Sequence, residues 1–92
     1  MELEWDEGKR RATFEARGLD FADAEVVLSG PCVTIEDRRQ DYGELRRITF
    51  GQLAGRVVVL AWTYRGEAVR VISMRKANER ETKAYRERLE QG

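Results

Sequence analysis

The chain contains no histidine, one cysteine and one proline in 92 residues. Without an imidazole, a Ser-His-Asp constellation cannot form and the commonest zinc ligand is absent. With Cys32 alone no intrachain disulfide is possible, which fits a reducing compartment. No second thiol or imidazole stands near Cys32 in the chain to activate it, so a catalytic thiolate is not expected. No apolar run approaches the ~20 residues of a membrane-crossing helix, and Met1-Glu2-Leu3-Glu4 does not open a basic-then-apolar leader. A cytoplasmic protein with no membrane contact is the expectation. No Gly-rich phosphate loop, repeat, low-complexity stretch or Pro/Gly/Ser-rich linker appears, so residues 1–92 are expected to form a single domain. Net charge is also lacking, because 17 Lys and Arg balance 17 Asp and Glu.

The charges are unevenly distributed. Residues 1–60 carry nine basic and twelve acidic groups, whereas residues 61–92 carry eight basic and five acidic ones. The C-terminal third is therefore the place to look for phosphate contacts.

Periodicity supplies the elements. Glu2-Leu3-Glu4-Trp5 alternates as a short strand does, and Asp6 offers an N-cap for a helix that stops at Gly18, with Phe14 as its apolar anchor. Asp20 caps a second helix on which Phe21, Ala24, Val27 and Leu28 recur before Gly30-Pro31. From Cys32 the period becomes two through Val33 and Ile35. The charged run Glu36 to Asp41 is expected to be an exposed loop, and a strand resumes from Leu45 to Phe50 before a turn over Gly51 to Gly55. Val57 to Trp62 is apolar without alternation, as in a central strand covered on both faces. Arg65-Gly66-Glu67 turns into a strand in which Val69, Val71 and Ser73 alternate with Arg70, Ile72 and Met74, and Asn78 caps a last helix running to about Leu89. The expected fold is α+β: a short N-terminal strand, two helices, an antiparallel sheet and a C-terminal helix.

In that order the chain shows Glu4-Trp5-Asp6 with Lys9, Gly18 to Ala24 around Phe21, Gly43-Glu44 with Arg47 and Gly51, Thr63-Tyr64-Arg65-Gly66, and Val69-Arg70-Val71-Ile72-Ser73-Met74-Arg75-Lys76-Ala77 followed by Glu79, Arg80, Glu81 and Tyr85. It resembles the BrnT toxins of bacterial type II toxin–antitoxin pairs over nearly its whole length. The resemblance implies a RelE-like fold, RNA cleavage without a metal, and a ribbon-helix-helix antitoxin of the BrnA kind. That antitoxin neutralises the toxin and lets the complex repress its own operon, so operator DNA is met only through the antitoxin. One departure stands out: where the family pattern has Lys-His before the helix-ending glycine, this chain has Ala16-Arg17.

Metal-free RNA cleavage needs a 2′-hydroxyl deprotonated, a phosphorane neutralised and the departing 5′-oxygen protonated. Guanidinium suits the middle task, because it grips phosphate oxygens bidentately and keeps its charge. Arg70 and Arg75 are thus expected as a phosphate clamp, with Lys76, Arg80 or Tyr85 assisting proton transfer; as ordinary structure, the cations are solvated charges. Tyr85 also shares an apolar stripe with Ala77, Ala84 and Leu89, which reads as core packing. Lys9 and Arg17, eight apart on one helix face, and Arg47 are the expected RNA-backbone contacts, against the plainer reading of Lys9 and Arg17 as a solvated face. The acidic loop from Glu36 to Glu44 lacks the alternating oxygen ligands of a calcium loop, so no metal or other cofactor is expected. The competing class is a catalytically silent member of the same fold, a binding module acting through the antitoxin and its DNA. The missing imidazole favours that class and the arginine strand favours the enzyme.

Overall fold

The computed structural model describes residues 1–91. Strand β1 (Leu3–Trp5) leads to helix α1 (Glu7–Arg17), a 3-10 turn (Phe21–Asp23) and helix α2 (Ala24–Ser29). Strands β2 (Val33–Glu36), β3 (Arg47–Leu53), β4 (Arg56–Arg65) and β5 (Ala68–Lys76) follow, and helix α3 (Glu79–Gln91) closes the described chain. The strands form one sheet in the order β1-β5-β4-β3-β2. This is an α+β fold with β4 at its centre, as the unbroken apolar run Val57 to Trp62 requires. The β2-β3-β4-β5 ladder is antiparallel, but β1 pairs parallel with β5 through Leu3–Val69 and Trp5–Val71, so the sheet is mixed.

Local signals account for the helix ends. The Asp6 carboxylate accepts from the Lys9 backbone N–H at 2.9 Å and caps α1, and Gly18 ends it with φ of 69°, a left-handed cap where glycine has no Cβ to crowd. Asp20 caps a 3-10 turn rather than the α-helix directly, and α2 begins only at Ala24. One side of the sheet, with Val58, Leu60, Trp62, Val69, Val71 and Met74, meets Leu19, Phe21, Ala24 and Val27 in the core. α3 approaches the other side, where Tyr85 is buried beside Val33 and Phe50.

Other expectations change as well. Phe14 is 56% exposed and α1 contains no buried residue, so Phe14 does not anchor that helix. Polar ties hold α1 instead: Arg10 Nε donates to Asp20 at 2.8 Å and Arg17 Nη1 to the Met74 carbonyl at 2.8 Å. The stretch Gly51 to Leu53 belongs to β3, and the hairpin turn is Ala54-Gly55, with φ of 51° and 79°. Gly51 is a packing glycine, since a Cβ there would lie 2.7 Å from Val27 Cγ1. The loop after β2 is not wholly exposed either. Asp37 is buried and accepts from the Arg39 backbone N–H, from Arg39 Nε and Nη2, and from the Tyr42 hydroxyl.

A β-bulge between Ala61 and Trp62 reshapes the arginine strand. Ala61 opposes Ser73 while Trp62 opposes Val71, leaving Ile72 as the extra residue. The alternation expected for Val69, Val71 and Ser73 therefore breaks, and Met74 rather than Ser73 joins the two valines in the core. Arg70 and Arg75 are five residues apart and would point to opposite faces of a regular strand. With one residue bulged they share a face, opposite Thr63 and Val59 respectively.

Candidate functional site

Strand β1 pairs only with Val69 to Val71, so on that side the rest of β5 carries no strand. The chain leaves β1 into α1, which runs beside this open edge and creates a groove. One part of it, about 480 Å3, is lined by Lys9, Ala12, Thr13, Ala16, Arg17, Ile72 and Ser73. The next, about 360 Å3, is lined by Ala16, Arg17, Arg75 and Lys76, so the two share Ala16 and Arg17. The alanines and Ser73 keep the walls low, and the cations stand around them.

Arg17, the last residue of α1, spans the groove through its bond to the Met74 carbonyl. Among the described residues no carboxylate lies within ion-pair distance of Lys9, Arg17 or Lys76. Arg75 differs: its Nη1 and Nη2 reach the two Glu81 oxygens at 2.8 Å each, a bidentate pair. Glu81 is in turn fixed by the start of α3. The Asn78 N–H donates to it at 3.0 Å, and its own backbone N–H donates to the Asn78 side chain at 2.8 Å, a reciprocal capping box. The Arg75 guanidinium, helped by the Asn78 N–H and opposed by partial burial, holds the Glu81 carboxyl down at about 2. Glu81 makes Arg75 correspondingly harder to deprotonate.

Four of the residues expected from sequence, Lys9, Arg17, Arg75 and Lys76, thus converge on one groove. The other four lie elsewhere. Arg70 is bonded to Glu4 of β1 at 3.2 Å, its neighbour in the sheet. Arg80 is exposed in the first turn of α3. Tyr85 is 3% exposed and its hydroxyl donates to the Pro31 carbonyl at 2.6 Å, so the phenol is taken up in packing α3 rather than turned to the groove. The Arg47 guanidinium stacks over Trp62 and Tyr64 at 5.4 and 5.1 Å. Sequence reasoning missed Glu81 and Ser73. Glu81 had a signal, the spacing Asn78-x-x-Glu81 of a capping box, whereas Ser73 reaches the groove side only through the bulge. Chemically, several cations and one pre-oriented guanidinium around small side chains suit a phosphodiester backbone.

Among the described residues no three His, Cys, Asp or Glu side chains lie close enough to hold a metal ion, and no helix is long and apolar enough to cross a membrane. A search of curated proteins returned no match. A family model described as the ribonuclease toxin BrnT of type II toxin–antitoxin systems matches residues 5–81.

Proposed function

Since the chain belongs to the BrnT family of type II toxin–antitoxin ribonuclease toxins, we propose that it holds the RNA backbone in the α1–β5 groove, cleaves it without a metal, and is neutralised by a ribbon-helix-helix antitoxin. One observation carries this reading: Lys9, Arg17, Arg75 and Lys76 converge on a single groove with low walls. Residues 1–92 act as one toxin domain in the cytoplasm, and operator DNA is met only through the antitoxin.

In the proposed reaction Arg75 and Arg17 neutralise the charge that collects on the phosphorane, the largest electrostatic demand of the step. The 2′-oxygen attacks phosphorus and its proton leaves to water, since the chain offers no imidazole as base. The bond from phosphorus to the 5′-oxygen breaks, and Lys76 protonates that oxygen, giving a 2′,3′-cyclic phosphate and a 5′-hydroxyl. A cationic groove also repels a divalent ion, which supports a route without one. Purified protein is expected to cleave RNA in excess chelator and to leave cyclic or 3′-phosphate ends. Loss of cleavage in chelator, or 3′-hydroxyl ends, points to metal chemistry instead. Induced alone, the chain is expected to arrest bacterial growth; Arg75→Ala is expected to relieve the arrest at equal soluble expression, and full toxicity of that folded variant removes Arg75 from the site.

A second reading, a silent binding module that acts through the antitoxin, is favoured by one feature. Arg70 and Arg75 each already carry a carboxylate partner within the chain.

A further inference from the structure

Away from the groove, the far end of the β4–β5 ladder carries an aromatic surface that the proposed cleavage does not use. Tyr64 is 53% exposed. Its ring meets Trp62 edge to face, with centroids 5.1 Å apart and planes at 84°. Trp62 is itself locked: its indole N–H donates to the Thr49 hydroxyl at 2.8 Å, and that hydroxyl shares a 2.8 Å hydrogen bond with Thr34. Arg47 stacks on both rings, and among the described residues no carboxylate lies within ion-pair distance of its guanidinium. An exposed ring on a rigid backing, beside an uncompensated guanidinium, suits a ligand that brings a flat π-face and a negative charge together. An unpaired nucleotide brings both, because every base stacks and its phosphate sits within reach of a neighbouring cation.

We propose that Tyr64 and Arg47, backed by Trp62, form a stacking site for an unpaired base of single-stranded RNA. The proposal rests on the reading of the chain as a ribonuclease. Tyr64 opposes Val69 and Val59 opposes Arg75. The two positions are five residues apart along β4, roughly 17 Å at 3.4 Å per residue, and on opposite faces of the sheet. A base on Tyr64 therefore belongs to a nucleotide other than the one whose phosphate is cut, and the surface adds affinity without touching the reacting atoms. Charge complementarity favours RNA over an apolar partner segment, which would bury Arg47 without an acid to answer it.

The test is fluorescence anisotropy with a labelled 2′-O-methyl RNA of about 12 nucleotides, within the length such surfaces occupy and unable to be cleaved through its 2′-oxygen. Tyr64→Ala and Arg47→Ala are expected to weaken binding about five-fold or more, the lower range for one stacked base. Tyr64→Phe keeps the ring and is expected to bind like the parent. So is Phe14→Ala, which removes an equally exposed ring from α1. With an abasic oligomer of the same length, Tyr64→Ala and the parent protein are expected to bind alike. Unchanged RNA binding by Tyr64→Ala overturns the proposal, and so does an equal loss on the abasic oligomer. If Arg75→Ala reduces binding while Tyr64→Ala does not, the stacking site alone falls. If the parent protein fails to bind the RNA at all, the RNA reading falls with it. If Tyr64→Ala leaves RNA binding intact but breaks co-purification with the antitoxin, the surface belongs to a protein partner and the proposal is overturned.

Discussion

Arg75 and Glu81 meet edge to edge, with both guanidinium Nη atoms 2.8 Å from a carboxylate oxygen, and the same carboxylate caps the helix that follows. The arginine proposed to neutralise the phosphorane is therefore oriented by an internal acid, and incoming phosphate competes with that acid. Glu81→Gln keeps a capping-box side chain but removes the competing charge. It is expected to tighten binding of uncleavable RNA by roughly two- to five-fold, as a surface pair weakened by solvent would allow. Glu79→Gln makes the same change in net charge without touching Arg75, and is expected to do much less. Equal effects of the two substitutions, or no effect of Glu81→Gln when Arg75 is intact, remove the competition.

Acid is expected to destabilise the fold through a small set of carboxylates. Arg75 holds Glu81 at about 2. Hydrogen bonds from Arg10 lower Asp20, and those from Arg39 lower Asp37, both below the usual carboxylate range. Each is depressed in the folded state, so each contributes stability that is fully present above its unfolded value, about 4, and is lost as pH falls through its folded value. Urea midpoints are expected to stay level between about pH 6 and 8, where the chain has no imidazole to titrate, and to fall below about pH 4. Glu81→Gln is expected to flatten part of that fall. An unchanged acid profile in this variant shows that the pair adds nothing to stability.

Much of this architecture was legible from local chemistry. Asp6 and Gly18 bracket α1 because a cap acceptor and a left-handed terminus are short-range signals, and the unbroken apolar run of β4 marks the sheet centre. What lay beyond reach was set by contacts distant in sequence. The pairing of β1 with β5 joins residues more than sixty apart, and the bulge that turns Arg70 and Arg75 to one face depends on how Trp62 settles against Val71. Half of the candidate site residues meet in the groove for that reason. Tyr85 was ambiguous in the sequence because one phenol serves equally well as a proton donor or as packing, and only its bond to Pro31 distinguishes them.

Gly51 tests the close contact of α2 on β3. A Cβ there would stand 2.7 Å from Val27 Cγ1 and 3.2 Å from the Val27 carbonyl oxygen. Backbone cannot swing away as a flexible side chain tip can, so Gly51→Ala is expected to cost about 1–3 kcal/mol by overpacking. Denaturant titration with Gly30→Ala as control measures it; at Gly30 the nearest atom to an added Cβ is 3.4 Å away. Equal midpoints for the two variants indicate that α2 moves aside without cost.

Helix α1 forms one wall of the groove yet buries none of its residues. Its attachment includes the Asp6 cap, the Trp5 indole N–H donating to Glu7 at 2.9 Å, the Arg10 guanidinium over the Trp5 ring and paired with Asp20 at 2.8 and 3.2 Å, and the bond from Arg17 to Met74. Polar ties of this kind are worth little when solvent reaches them, whereas β4 and β5 share a core. α1 is therefore expected to open locally before the sheet does, and its amides to exchange with solvent orders of magnitude faster than those of β4. Arg10→Ala is expected to speed exchange in α1 further while leaving β4 unchanged, because the ties it removes, to Asp20 and over the Trp5 ring, are to residues outside β4. RNA that bridges Lys9 and Arg17 on one wall to Arg75 and Lys76 on the other is expected to slow exchange in α1. Protection confined to the Tyr64 end of the sheet, with α1 unaffected by RNA, places the backbone contacts outside the groove.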